Sequence, residues 1–159
     1  MVRENLQRRT VQDLAAVPAE LRAAPQWVVW AYRKREDGKL TKVPFQALDP
    51  QSKASSTNPA TWASADDALA CYEARNDYTK LNPQPWLSGV GVVMTPDMGM
   101  VGFDLDDVRN PDTGEIQAWA LELVNDLNTY TEVSPSGRGL RVFAKGTLEH
   151  LSGHKRGPV

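Results

Sequence analysis

The chain has 159 residues and a formal net charge of −2, from 18 Lys and Arg against 20 Asp and Glu. That length suits one domain with a real core, and the charge balance excludes a strongly basic or acidic protein. A single cysteine, Cys71, excludes an internal disulfide and a cysteine-based zinc site. We see no signal-peptide pattern and no stretch long enough to span a membrane, so the sequence predicts a cytoplasmic protein with no membrane partner.

The first half of the chain predicts a polar lead-in, a β-hairpin and a helix. The lead-in covers residues 1–17, and one domain is expected over residues 18–159. Residues 27–32 are β-prone, a hairpin turn signal follows at Asp37 and Gly38, and residues 40–45 form the return strand.

Two further signals lie in this half. Pro44 indicates a sheet edge or the end of a strand, because proline cannot donate to a β-ladder. Ser64 with Asp67 resembles a helix N-cap, and the helix is expected over residues 65–75.

The second half predicts a strand, an acidic strand, a helix and a closing hairpin. In chain order these are residues 89–94, 100–107, 116–127, 130–134 and 140–144. We expect the first two strands to form a second hairpin that ends in acidic residues. The order predicts an α+β fold with helices on one face of a sheet and the acids on its open face.

An acidic pair, Asp104 and Asp106, closes an apolar strand. Side chains alternate along a strand, so both carboxylates point the same way while Phe103 and Leu105 point into the core. Their Cα atoms should lie roughly 7 Å apart, and the side chains can lean together to share divalent cations about 4 Å apart. Without a cation the carboxylates would repel each other. The pair predicts metal-dependent chemistry on phosphates.

A glycine-rich loop over residues 134–141 is the second chemical feature. Gly137 and Gly139 permit the positive φ values that aim successive backbone N–H groups at one anion. Ser136 offers a hydroxyl and Arg138 a bidentate guanidinium. A tight hairpin uses the same residues, so the loop alone leaves both interpretations open. A neighbouring acidic strand favours phosphate binding, and Arg141 should point back towards the same site.

Basic residues cluster on both sides of the acidic centre in sequence, within residues 33–42 and 138–156. This distribution suits a polyanion held over bound cations, although the first cluster fits the solvated tip of a hairpin equally well. Other candidates favour structural roles. Trp27 and Trp119 are expected in the core rather than as base-stacking platforms. Asp107 should face away and cap a turn. His150 and His154 are expected in a flexible tail rather than in a metal site.

Taken together, these segments resemble the archaeo-eukaryotic-type primase-polymerases encoded by phages, plasmids and integrated elements. The resemblance starts at about Pro18 and is carried by residues 25–30 (PQWVVW), 42–45 (KVPF), 57–62 (TNPATW), 89–92 (GVGV), 102–106 (GFDLD) and 130–140 (YTEVSPSGRGL). It implies an RRM-like mixed sheet with helices on one face and catalytic metals on its open face. The implied function is template-directed nucleotidyl transfer, with DNA template or primer and dNTP or NTP as partners.

The resemblance also assigns site residues. Asp104 and Asp106 would hold Mg²⁺ or Mn²⁺. Arg141 stands where many relatives have a histidine, and we interpret it as a tolerated variant because arginine binds a triphosphate with bidentate geometry. Ser136 and Gly137 match the family's second motif, which binds the phosphates of the incoming nucleotide. From their charge we also expect Arg138, Arg141 and Lys42 to contact the nucleotide, and Lys42 alternatively meets template phosphates.

Such enzymes use a third carboxylate on a later strand, for which Glu149 is no convincing substitute. We therefore expect the chain to be the front part of a polymerase domain, truncated at its C-terminus. A helicase domain or protein is an expected partner.

Two alternatives stay open. One is a catalytically incomplete module of the same fold that binds nucleotide or DNA. The other is a haloacid-dehalogenase-type phosphatase, since residues 103–108 also fit that nucleophile motif, with Asp104 phosphorylated and Asp106 as the acid. That motif usually opens its domain, whereas here it comes past the middle of the chain.

Overall fold

The structure is a computed structural model that describes residues 14–75 and 87–147. Its helices and strands are α1 (Ala19–Ala23), β1 (Trp27–Lys34), β2 (Leu40–Phe45), α2 (Ala65–Arg75), β3 (Gly89–Val92), β4 (Met100–Leu105), α3 (Ala118–Leu127), β5 (Thr131–Val133) and β6 (Leu140–Lys145). Short 3₁₀ turns lie at Leu14–Ala16, Pro59–Thr61 and Pro96–Met98. His150, His154, Glu149 and most of the lead-in lie outside the described residues.

The chain divides into two compact units, Met1–Val93 and Met94–Val159. The described strands of the first unit form a sheet in the order β2-β1-β3, and those of the second a sheet in the order β4-β6-β5. Every strand pair in both sheets is antiparallel. The predicted α+β class is confirmed, but the strands form two antiparallel sheets where one mixed sheet was predicted.

The first unit confirms the predicted hairpin and helix. β1 and β2 pair from Val29 opposite Phe45 to Lys34 opposite Leu40. Gly38 in the turn has φ +82°, which glycine adopts without strain. Proline-containing β2 lies at an edge of its sheet, as predicted. Helix α2 occupies the predicted range and buries Ala65 and Ala68 in the same core as Val29 and Ala31 of β1.

The predicted hairpin of β3 with β4 is wrong. β3 pairs with β1, with Trp30 opposite Gly89 and Trp27 opposite Val92, whereas β4 pairs with β6. The reason lies in β1, where residues 27–31 are all buried. A continuous apolar run is typical of a central strand, which needs a neighbour on each side, and β3 supplies the second one.

The second unit has its own core on one face of its sheet. Leu140, Val108 and Ala120 are buried together there, and Leu105 and Val124 pack against them. Helix α3 supplies Ala120 and Val124, so it covers this face of the sheet. The predicted closing hairpin of β5 with β6 is confirmed.

Two predicted core residues are not buried. Trp119 is 44% exposed and Phe103 is 37% exposed, whereas Trp27 is buried at 4% as predicted. Trp119 lies beside the packed stripe of α3, and its indole N–H donates to Gln117 Oε1 at 2.8 Å. The prediction that Trp119 belongs to the core is wrong, although its neighbour Ala120 and Val124 one turn later do pack there. Across the described ranges, we find no helix with the length and apolar character that a bilayer span requires.

Replacing Leu140 by alanine tests the second core. Leu140 is 3% exposed, so Leu140→Ala leaves a cavity and should lower the free energy of unfolding by about 2 to 5 kcal/mol in urea titrations. Leu121→Ala removes the same atoms from a residue of α3 that is 44% exposed, and should change the free energy of unfolding by less than about 0.5 kcal/mol. Equal losses would contradict this core.

Candidate functional site

Three charged side chains form a row across the second sheet. Asp104 on β4 stands opposite Arg141 on β6, and Arg141 stands opposite Glu132 on β5. Arg141 Nε lies 3.8 Å from Asp104 Oδ1, and Arg141 Nη1 lies 3.7 Å from Glu132 Oε1. These distances exceed those of hydrogen bonds, so both contacts are ion pairs. One guanidinium is therefore shared between two carboxylates.

The charged row lies on the face of the sheet that α3 does not cover. Along β4 and β6, Asp104 and Arg141 alternate with apolar residues that point to the opposite face. Two of these apolar residues, Leu105 and Leu140, belong to the core beneath α3. The side chain of Asp104 is 62% exposed, whereas that of Arg141 is 32% exposed. The predicted position of Asp104 on the face away from the helix is confirmed, and so is the predicted neighbouring position of the strand that carries Arg141.

β4 ends at Leu105, short of the predicted range of 100–107. The second predicted carboxylate, Asp106, therefore lies exposed in the turn after the strand, and the prediction that strand alternation points it the same way as Asp104 is wrong. The chain turns at Asp107, whose φ of +54° is uncommon for a residue other than glycine. Asp107 was expected to cap this turn. Its Oδ1 instead accepts a hydrogen bond from Arg138 Nε at 2.8 Å. That bond, with the negative charge of Asp107, raises the pKa of Arg138.

The glycine-rich loop is bonded within itself. The backbone N–H of Gly137 donates to the carbonyl of Ser134 at 2.8 Å. The N–H groups of Arg138 and Gly139 donate to the hydroxyls of Ser136 and Ser134 at 3.3 and 3.1 Å. Gly137 has the predicted positive φ, at +76°. The expectation that these three N–H groups point at an anion is not met, because the serine hydroxyls compete as local acceptors.

Arg109 ties the loop to the turn after β4. Its backbone N–H donates to the carbonyl of Arg138 at 2.8 Å, and its Nη1 donates to the carbonyl of Gly137 at 2.8 Å. Together with the pair of Asp107 and Arg138, these bonds join the acidic turn to the glycine-rich loop. Two of the predicted site segments are therefore neighbours in the structure.

Lys42 lies in the first unit, on β2 opposite Tyr32. Its ammonium nitrogen is 5.7 Å from the centre of the Trp30 ring, a cation–π distance. Its assignment to the nucleotide or template stays a prediction.

The donors at the site fit a hard divalent cation. Asp104 and Asp106 offer carboxylate oxygens, and Mg²⁺ is commonly held by one or two carboxylates together with waters and substrate phosphates. Within residues 14–75 and 87–147, no group of three or more His, Cys, Asp or Glu side chains is placed to hold a metal ion. Glu132 is no third ligand beside Asp104, because two strand spacings, about 10 Å, separate them, with Arg141 between.

Sequence reasoning missed Glu132 and Arg109. Both are ordinary charged residues when considered alone. Only the register of β5 against β6 reveals that Glu132 faces Arg141, and a register shift of one residue would have moved it to the other face.

Gly139 is required by the closeness of the loop to β4. A Cβ at this position would lie 2.6 Å from the carbonyl oxygen of Leu105. That carbonyl belongs to a paired strand, so the backbone must move, and Gly139→Ala should destabilise the fold by about 1 to 3 kcal/mol in thermal or urea unfolding.

Gly102→Ala on the adjacent strand is the matched control. A Cβ there meets its nearest atom, in the Phe143 ring, at an ordinary 3.8 Å. This variant should unfold within about 1 kcal/mol of the original chain. A comparable loss in both variants would show that the close approach at Gly139 is unimportant.

Comparison with known proteins relates the chain to a phage protein. No family model matches the chain. The DNA primase-polymerase of Nitratiruptor phage NrS-1 is 34% identical over 148 residues, which cover 91% of this chain and 18% of the phage protein. The chain thus spans a minor part of the length of that relative. The resemblance to primase-polymerases that the motifs indicated is confirmed.

Proposed function

We propose that this chain, a relative of a phage DNA primase-polymerase, is a nucleotidyltransferase domain that joins nucleotides on a DNA template. The observation that carries the proposal is the direct cross-strand pairing of Asp104 with Arg141. A carboxylate suits a divalent cation and a guanidinium suits a triphosphate. With Nε and Oδ1 3.8 Å apart, a single metal-bound triphosphate is able to contact both side chains.

In this proposal Asp104 and Asp106 hold Mg²⁺ or Mn²⁺. The bound ions would neutralise phosphate charge and orient the attacking 3′-hydroxyl for in-line displacement at the α-phosphate. The exposed carboxylate of Asp104 already faces one cation, the Arg141 guanidinium, so a metal ion would take the place of an existing charge partner.

The remaining residues bind the triphosphate. Arg141 donates its N–H groups to phosphate oxygens and offsets the charge that builds up in the transition state. Ser136 offers a hydroxyl, and Arg138 adds charge from its position beside Asp107. Gly137 gives the loop the left-handed turn that presents these two side chains. Lys42 meets the nucleotide or the template phosphates.

The proposed setting is replication of a mobile element, with DNA and nucleotide as substrates, a helicase domain or protein as partner and a cytoplasmic location. The domain is proposed to cover residues 18–159. A relative that matches 91% of the chain favours nucleotidyl transfer over the phosphatase alternative. The binding-module alternative differs from the enzyme in one measurable way, since it holds nucleotide without extending a primer.

Neutralising both carboxylates is the decisive test. In the double variant Asp104→Asn with Asp106→Asn, primer extension with Mn²⁺ and dNTPs should fall by about 100-fold or more, because charge stabilisation worth several kcal/mol is lost. Binding of Mn²⁺ alone, followed by electron paramagnetic resonance, should weaken in parallel.

Asp126→Asn is the control, because it makes the same chemical change at an exposed residue of α3. It should leave extension and Mn²⁺ binding unchanged. Extension by the double variant at the rate of the original chain would refute the nucleotidyltransferase proposal. Unimpaired Mn²⁺ and dNTP binding by the original chain without any extension would favour the binding module.

Lys42→Gln tests the role of the first unit. If Lys42 contacts a template phosphate, the slope of log affinity for single-stranded DNA against log salt concentration should fall in magnitude by about 1, as measured by fluorescence anisotropy. Lys39→Gln, in the exposed hairpin, should leave the slope nearly unchanged. If Lys42 contacts the nucleotide instead, affinity for Mn²⁺–dATP falls and the DNA slope is kept. No change in either measurement would remove Lys42 from the site.

A further inference from the structure

We infer that Glu132 is a positioning residue that orients the guanidinium of Arg141 for the triphosphate, an inference that rests on the proposed function. Neither the sequence motifs nor the similarity to the phage protein assigns Glu132 a role. Glu132 and Asp104 compete for the one guanidinium of Arg141 from opposite sides.

Glu132 lies on the more sheltered side of Arg141. Its side chain is 37% exposed, against 62% for Asp104 on the other side. Water and salt screen an ion pair less when its members are partly buried. Arg141 is therefore paired more persistently with Glu132 than with Asp104, although the two ion-pair distances are nearly equal at 3.7 and 3.8 Å.

Glu132 is itself held in place. The hydroxyl of Tyr130 donates to Glu132 Oε2 at 3.2 Å, while Oε1 faces Arg141. The Tyr130 ring packs against Phe143 with centroids 5.7 Å apart, and Phe143 is 9% exposed. The half-buried Tyr130, packed on the buried Phe143, thus holds the carboxylate, and the carboxylate faces the guanidinium.

This arrangement matters most when a cation binds at Asp104. Arg141 then loses the carboxylate on that side, and a long side chain without a partner explores many rotamers. Glu132 is too far away to coordinate the same cation, so it stays paired with one edge of the Arg141 guanidinium. The other N–H groups of Arg141 stay aimed at the face where Asp104 lies, and they are available to phosphate oxygens.

The sign of one measurement separates this role from simple repulsion. A carboxylate beside a triphosphate site repels the ligand, so by Coulomb's law alone its neutralisation should tighten binding. If Glu132 positions Arg141, its neutralisation should weaken binding instead. A purely structural role would affect triphosphate binding whether or not Arg141 is present.

The test measures binding of dATP to the full chain by isothermal titration calorimetry at saturating Mn²⁺. Glu132→Gln should weaken dATP binding about threefold to fivefold, and binding of Mn²⁺ alone should be unchanged. Tyr130→Phe keeps the ring on Phe143 but loses the hydroxyl, and should weaken dATP binding about twofold. Glu122→Gln, at an exposed residue of α3, is the matched control and should have no effect.

A double-mutant cycle with Arg141→Gln completes the test. In that background Glu132→Gln should cause no further loss, because the residue through which it acts is gone. Unchanged or tighter dATP binding in Glu132→Gln, or an equal loss in both backgrounds, overturns the inference. If Glu132→Gln fails to fold by circular dichroism, Tyr130→Phe carries the same cycle and the same criteria.

The cycle also separates the two proposals. If Arg141→Gln alone leaves dATP binding unchanged, the proposed role of Arg141 as a triphosphate ligand fails, and the role of Glu132 fails with it. If Arg141→Gln weakens binding and Glu132→Gln does not, only the role of Glu132 fails.

Discussion

The register of the central strand β6 is the constraint on which the candidate site depends. β6 pairs with β4 on one side and with β5 on the other, and this double pairing aligns Asp104, Arg141 and Glu132 in one row. The same register places Leu140 and Val142 on the opposite side of the strand, where Leu140 joins the core beneath α3. The burial of those apolar residues holds the charged row in place, because a slip of one residue would exchange the two faces.

The charges of the site are balanced locally. Arg141 is paired with two carboxylates, and Arg138 is paired with Asp107. A site that receives a metal ion and a polyanion must lose some of these pairs and gain others. The pairs of Arg141 with Asp104 and of Arg138 with Asp107 involve exposed carboxylates, so they are weak and can be exchanged at little cost. The structure therefore combines a rigid sheet with side chains whose partners are exchangeable.

Local signals in the sequence predicted much of the fold. The turn at Gly38, the range of α2 and the hairpin of β5 with β6 follow from residues that are close in sequence. The pairing of β3 with β1 could not be predicted in this way, because it joins residues that are distant in sequence. The separation into two sheets was missed for the same reason.

The site shows the same division. The positions of Asp104 and Arg141 followed from strand alternation and from the order of the strands. Glu132 required the register of β5, and the internal bonding of the glycine-rich loop required knowledge of which acceptors its N–H groups reach. Chemistry is read from residue types, but the contacts between those residues come from non-local packing.

The left-handed backbone at Asp107 limits which residues can replace aspartate at this position. Glycine would relieve the backbone but lose the carboxylate that holds Arg138, and asparagine would keep the conformation while losing the charge. Valine or isoleucine would be excluded by their branched side chains. Among homologous chains with the same turn, substitutions here should be confined to a very small set of residues, with aspartate alone satisfying both demands.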